Sequence, residues 1–192
     1  MVPGTVTSKR VRTAVLAIAT VALVLGTATD GASARRPGIA FAAGVPSDLE
    51  ALARATWQRF TDAFPARWRC VPTVRVSGAW RLAVRARYDP VHRSVTVRIP
   101  GTAPTLRSTL VHEFAHHVEF TCPEQRTLRA RFASAQGVPP GTPWFGGTTW
   151  ERIPSEQFAE AAVQLVLGRS GRPRIVVAPA ALGALRDWAL GR

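Results

Sequence analysis

The sequence has few acidic residues, a single lysine and a single tyrosine. Its 192 residues contain 12 Asp and Glu against 25 Lys and Arg, which gives a formal net charge of +13. The two cysteines are too few for a disulfide-dense mini-protein. Hydrophobic residues make up 46% of the chain, which excludes a disordered protein and predicts a packed core. A chain of this length accommodates one domain.

The sequence also lacks an apolar run of the roughly 20 residues that a membrane-spanning helix needs. The apolar run at 13–28 is shorter, follows three basic residues and precedes the small-residue site Ala32-Ser33-Ala34. This order is typical of a secretory signal peptide. We predict a signal peptide at 1–34, cleaved after Ala34, and therefore a secreted protein. An uncleaved membrane anchor is the alternative.

Secretion would place both cysteines in a compartment where disulfides persist. We predict a disulfide between Cys70 and Cys122. In the chain-entropy treatment, closing their loop of about 53 residues stabilises the fold by about 4 kcal/mol. Two free thiols, or a metal-binding role for one cysteine, are the alternatives.

The spacing of apolar residues predicts an α+β domain at 47–192, preceded by a flexible and irregular segment at 35–46. Helices are predicted at 47–64, 104–121, 123–136, 155–167 and 179–190. Strands are predicted at 73–77, 80–87 and 95–99, the last two forming a hairpin in a small antiparallel sheet. The Gly-, Pro- and Trp-rich segment 137–153 is predicted as a loop. It is expected to be either a lid or specificity wall of a site, or a surface loop held by Trp144 and Phe145.

Three of the four histidines lie at 112–117, in the sequence H-E-F-A-H-H. His112 and His116 are four residues apart, so on a helix their imidazoles project from one face, one turn apart. This spacing suits two ligands of one zinc ion, and Glu113 between them is placed to take a proton from a zinc-activated water. A histidine-rich helix that binds nothing is the alternative.

A catalytic zinc site usually has three protein ligands. Glu156 and Glu160 are one turn apart on a helix that is otherwise apolar, where a buried carboxylate needs a partner. His92, in a predicted turn, is a further candidate for the third ligand. The alternative interpretation is the general preference of helix N-termini for acidic residues, or salt bridges to arginine.

The segment H-E-F-A-H at 112–116, followed about 40 residues later by E-Q-F-A-E at 156–160, resembles the glutamate zincins (gluzincin-like metallopeptidases). The pattern is similar to the catalytic domain of anthrax lethal factor and to small secreted actinobacterial metallopeptidases. The resemblance covers roughly 80–168 and implies a zincin-like domain whose C-terminal helices carry the third ligand. It implies zinc ligands at His112, His116 and Glu156, a general base at Glu113, and a partner that orients a ligand histidine at Glu160.

The chain departs from this family just before the third ligand, where relatives often carry a tyrosine that donates to the developing oxyanion. This chain has T-T-W-E-R at 148–152. Candidates for stabilising that charge are Tyr88, His117 and Arg152, together with His92.

We therefore expect a secreted hydrolase, a metallopeptidase with one Zn²⁺ that cleaves a peptide or protein substrate. The predicted strand at 95–99 is expected to pair with an extended substrate. The alternatives are a zinc-binding protein without turnover and a basic protein that binds an anionic cell-surface polymer. Secretion and the lack of interleaved aromatics argue against a nucleic-acid partner, and a membrane partner is expected only if the signal segment stays as an anchor.

Overall fold

The structure is a computed structural model that describes Met1, residues 35–168 and residues 175–192. Nearly all of the predicted signal peptide, with its cleavage site, lies outside the described residues. The described residues from 35 onward belong to one compact unit. Within these ranges, none of the helices combines the length and hydrophobicity that a membrane span requires.

The mixed α+β class is confirmed. The helices are α1 (Ser47–Ala63), α2 (Ala103–Thr121), α3 (Gln125–Gln136), α4 (Pro154–Leu167) and α5 (Pro179–Ala189), with short 3-10 helices at Pro65–Cys70 and Trp150–Arg152. The strands are β1 (Ile39–Phe41), β2 (Val74–Ala79), β3 (Ala86–Asp89) and β4 (Ser94–Arg98). Each α-helix begins and ends within two residues of its predicted bounds.

The four strands form one sheet in the order β1-β2-β4-β3. Strands β1, β2 and β4 are parallel, and β3 pairs antiparallel with β4. The prediction of an antiparallel sheet is therefore correct only for the β3–β4 hairpin. Strand β1 lies inside 35–46, so the prediction of an irregular segment is wrong for its three residues. Helix α1 supplies the crossover that two parallel neighbours, β1 and β2, require.

The predicted strand at 80–87 is also corrected by the structure, because only its last two residues belong to β3. Trp80 is 72% exposed and Val84 is 52% exposed. The alternation of these apolar residues with arginines therefore does not mark a buried face. Strand β3 begins only at Ala86, which pairs with Val97 of β4.

One face of the sheet is covered by helices and the other face carries polar residues. Alternate valines of β2 and β4 are fully buried, namely Val74, Val76, Val95 and Val97. Below them, Trp57 of α1 packs edge-to-face on Phe114 of α2, with ring centroids 4.8 Å apart. Helix α2 thus lies in the middle of the domain, in contact with the sheet, α1 and α4.

The predicted disulfide between Cys70 and Cys122 is confirmed. It joins the 3-10 helix at Pro65–Cys70 to the residue that follows α2. The C-terminal end of the central helix is therefore covalently attached to the segment that leads into β2.

Candidate active site

Two helices supply the residues of the candidate metal centre. On α2, Val111, Phe114 and Ala115 are completely buried, which fixes the helix rotation and directs His112 and His116 toward α4. On α4, the buried face includes Phe158, Ala159 and Ala162. The carboxylates of Glu156 and Glu160 face the histidines from this helix.

Three potential ligand side chains meet between these helices. The Nε2 atom of His112 lies 3.0 Å from Oε2 of Glu156, and Nε2 of His116 lies 3.7 Å from Oε1 of the same carboxylate. The two Nε2 atoms are 3.3 Å apart. Each side chain offers one ligand atom, and these atoms all lie within 4.8 Å of one another.

Each histidine is held by a second carboxylate on the opposite ring nitrogen. Nδ1 of His112 lies 3.2 Å from Glu160, and Nδ1 of His116 lies 2.9 Å from Glu119. A carboxylate in this position accepts the Nδ1–H and leaves the Nε2 lone pair available as a metal ligand. Both rings are therefore held in the tautomer that is protonated on Nδ1, in which Nε2 can bind a metal.

In that tautomer, two imidazole lone pairs and the Glu156 carboxylate converge on one point. Three electron-pair donors repel one another there unless a proton or a cation lies between them. Two histidines and one glutamate, with room for water beside them, are a known donor set for catalytic zinc. The residues present fit a zinc ion.

The pKa shifts of the metal-free cluster indicate the same preference for positive charge. Burial disfavours protonation of His116, but hydrogen bonds to Glu119 and Glu156 outweigh burial and raise its pKa to about 10. Burial likewise opposes ionisation of Glu156, and hydrogen bonds from His112 and His116 overcome it and hold its pKa well below the usual range. The site therefore stabilises a cation, whether protons or a metal ion.

Glu113 lies beside this cluster and is only 7% exposed. Burial raises the pKa of its carboxyl, while the neighbouring histidines and the backbone N–H of Tyr88 act in the opposite direction. A glutamate with a raised pKa on the wall of a cleft is suited to take up and return a proton.

Glu119 was missed by the sequence analysis, although it lies three residues after His116 on α2. Its side chain is fully buried. One carboxylate oxygen accepts from Ser155 Oγ at 2.8 Å as well as from His116, and the other accepts from Trp144 Nε1. In the sequence, Glu119 stands among apolar residues of the helix and about one turn after the candidate ligand His116, and this position was the available signal.

A cleft of about 990 Å³ opens onto the candidate metal centre. It is lined by His112, His116, Glu113, Glu156 and Glu160, by Phe145 and Trp150 of the 137–153 loop, and by residues of β3. The catalytic candidates are therefore accessible from solvent.

The loop at 137–153 forms one wall of this cleft. Trp144 packs edge-to-face against Phe132 and Phe158, and Phe145 stacks on Phe120 with centroids 5.2 Å apart. The Trp150 ring lies over His112 at 6.0 Å. The loop is therefore held by Trp144 and Phe145, as one alternative predicted, and it also forms a wall of the cleft, as the other predicted.

The proposed charge stabilisers are not all brought to the cleft. His117 is fully buried, where its Nε2–H donates to the Pro72 carbonyl and its Nδ1 accepts from the Tyr88 hydroxyl, each at 3.0 Å. Burial lowers the pKa of His117 to about 4. Arg152 is exposed and does not line the cleft, and His92 is an exposed turn residue paired with Asp89. Tyr88 lines the cleft, with its hydroxyl directed toward His117.

The edge of the sheet nearest the cleft is β3, whereas β4 lies between β2 and β3. The expectation that the strand at 95–99 pairs with a substrate is therefore wrong, since both of its edges are occupied. The open edge belongs to Ala86–Asp89, and residues 83–88 line the cleft.

Comparisons with family models, with curated proteins and with solved structures found no match to this chain. The interpretation of the site therefore rests on its own geometry and chemistry.

Proposed function

We propose that this chain is a zinc-dependent metallopeptidase of the glutamate zincin type. The observation that carries the proposal is the convergence of His112, His116 and Glu156, with Glu113 beside them on the wall of an open cleft. A structural zinc site is usually closed by four protein ligands, whereas three ligands facing a cleft leave a position for water.

His112, His116 and Glu156 are the residues that would hold the ion. Zinc at this point would supply Lewis acidity toward the scissile carbonyl and lower the pKa of a water molecule beside it. Glu160 and Glu119 keep the two imidazoles oriented by accepting their Nδ1 protons.

Glu113 is the general base of the proposed reaction. Its carboxylate takes a proton from the attacking water as the water oxygen bonds to the scissile carbonyl carbon. The same carboxyl then donates that proton to the amine as the C–N bond breaks. Burial raises the pKa of Glu113, which brings it closer to the value that proton transfer at neutral pH requires.

The open edge of β3 supports an extended peptide as substrate. The backbone carbonyl of Arg85 accepts from the backbone N–H of Arg98 at 2.8 Å, and Arg87, two residues further along, pairs with Thr96. Hydrogen-bonded pairs alternate along an antiparallel ladder, so the backbone groups of Ala86 and the Tyr88 carbonyl point away from β4 toward the cleft, while the Tyr88 N–H donates to Glu113. A peptide adding to this edge would lie alongside Glu113.

The proposal includes secretion, since the predicted signal peptide and the Cys70–Cys122 disulfide are both typical of exported proteins.

The test is hydrolysis of casein and of a mixed peptide library by the zinc-loaded chain. We expect the wild-type protein to cleave and Glu113→Gln to lose activity by at least about a thousandfold while retaining zinc. Glu50→Gln, on the surface of α1, is the matched control and should behave as wild type. A zinc-loaded wild-type chain that cleaves nothing would contradict the peptidase and leave a zinc-binding protein without turnover.

A further inference from the structure

The acidic and the basic residues that line the cleft lie in different parts of it. The carboxylates are Glu113, Glu156 and Glu160, and all three lie at the candidate metal centre. The cationic side chains at the rim are those of Arg85, Arg87 and Arg98. Across the described ranges, no other acidic residue lines the cleft.

These three arginines form no ion pair with a carboxylate of the described residues. Arg98 makes one long hydrogen bond, to the Leu82 carbonyl at 3.5 Å. Elsewhere on the surface, by contrast, Arg36 pairs with Asp62 and Arg131 pairs with Asp187. The rim of the cleft therefore holds exposed cations whose charge is not neutralised by the protein.

The arginines have a regular arrangement on the sheet. Arg87 alternates along β3 with Ala86 and with buried Tyr88, so it lies on the face of the strand turned away from the helices. Arg85 directly precedes the strand and continues this alternation. Arg98 neighbours Arg85 across the ladder, on the same face. This face is continuous with the open edge of β3.

We propose that the cleft selects extended peptides that carry acidic side chains two residues apart, positioned beside Arg85 and Arg87. A strand added to β3 directs every second side chain to the arginine face, where directly opposite residues on adjacent strands lie close enough to pair. Arginine pairs well with a carboxylate because its guanidinium can donate two parallel hydrogen bonds.

The charge balance of the cleft agrees with an acidic substrate. With a divalent cation bound, Glu113, Glu119, Glu156 and Glu160 leave the centre with a net charge of about −2. The rim carries three positive charges, so the cleft as a whole stays positive. A concave surface of one sign concentrates ligands of the opposite sign. This inference rests on the proposed peptidase function for the position of the substrate.

The first experiment compares three peptides that differ only at two alternating positions, which carry Asp, Asn or Lys. We expect kcat/KM for the Asp peptide to exceed that for the Asn peptide by roughly tenfold, since each exposed ion pair contributes a factor of about 1.5 to 5. The Lys peptide should be the poorest substrate. The preference should shrink to about twofold when salt is raised to about 0.5 M.

The decisive variant combines Arg85→Gln, Arg87→Gln and Arg98→Gln, and it should lower kcat/KM for the Asp peptide to the value that the same variant shows for the Asn peptide. The matched control replaces Arg59, Arg126 and Arg186, which are exposed on α1, α3 and α5 and lose the same total charge. A single Arg87→Glu change should shift the preference toward Lys. Equal loss in the control variant would overturn the proposal, because it would assign the effect to net charge.

Binding of a labelled Asp peptide to zinc-loaded Glu113→Gln, followed by fluorescence anisotropy, separates this inference from the proposed function. Binding that depends on the three arginines supports the inference even if the wild-type chain cleaves nothing. Cleavage without any preference for Asp overturns the inference and leaves the peptidase intact. Binding of heparin through the same arginines, with no discrimination among the peptides, also overturns it in favour of a polymer-binding face.

Discussion

Replacing Glu119 by Gln changes one buried carboxylate without changing its size. One oxygen of Glu119 accepts from His116 at 2.9 Å and from Ser155 at 2.8 Å, and the other oxygen accepts from Trp144 Nε1. A glutamine has only one acceptor oxygen. Its amide NH₂ must therefore face either the Trp144 N–H or the pair formed by His116 and Ser155.

Each orientation has a cost. If the NH₂ faces His116, it favours the tautomer protonated on Nε2, which cannot bind a metal. If the NH₂ faces Trp144, a buried donor loses its acceptor, which costs about 1–3 kcal/mol of folding free energy. We expect zinc affinity to fall by about 10- to 100-fold, the usual effect of losing a partner that orients a ligand histidine.

The assay is zinc titration against a competing chelator, with urea unfolding of the metal-free protein as a second readout. Glu50→Gln on the surface of α1 is the control for loss of one negative charge. A folded Glu119→Gln protein whose zinc affinity lies within about twofold of the wild-type value would refute the role assigned to Glu119.

Three further predictions follow from the structure. Acidification from about pH 8 to about pH 5 should lower the zinc affinity measured by equilibrium dialysis, because protons compete at His116, whose pKa is raised to about 10 in the metal-free site. An affinity that does not change with pH would contradict histidine ligands. Replacing Cys70 and Cys122 together by Ser should lower the free energy of unfolding by about 2–4 kcal/mol in urea titrations, and an unchanged midpoint would contradict this. In the metal-free chain, His117 has its pKa lowered from 6.5 to about 4, so the unfolded state binds more protons between these values. Stability should therefore fall by about 3 kcal/mol as pH drops through that window, and His117→Gln should show a correspondingly smaller pH dependence.

The helices could be predicted from sequence because their signals are local. Proline lies in the first turn of α2, α4 and α5, and α3 ends at Gly137, whose positive φ of 78° favours glycine. The spacing of apolar residues predicted the remainder of each helix.

The sheet was harder to predict because its stability depends on contacts between distant residues. Strand β1 has only three residues and is held by pairing with β2 and by the Trp57 indole, which donates to the Pro37 carbonyl at 2.9 Å. Neither contact can be predicted from the residues next to β1 in the sequence. The alternation around Trp80 was misleading because no neighbouring strand extends far enough to pair with it.

The candidate site was visible in part because its members lie in two short motifs. His112, Glu113 and His116 share one helix turn, and Glu156 and Glu160 have the same spacing on a second helix. The structure brings His112, His116 and Glu156 together. The environment of Glu119, by contrast, depends on Trp144 and Ser155, which reach it only through the folded loop and α4.

The proposed function requires that His112, His116 and Glu156 bind one zinc ion. The most direct test is the zinc content of the purified chain by mass spectrometry after dialysis, for the wild-type protein, Glu156→Ala and the surface control Glu50→Gln. We expect about one zinc per chain in the wild-type and control proteins and loss of tight binding in Glu156→Ala. A wild-type chain without affinity for zinc would refute the proposed metal site, and zinc retained at full affinity in Glu156→Ala would refute Glu156 as the third ligand.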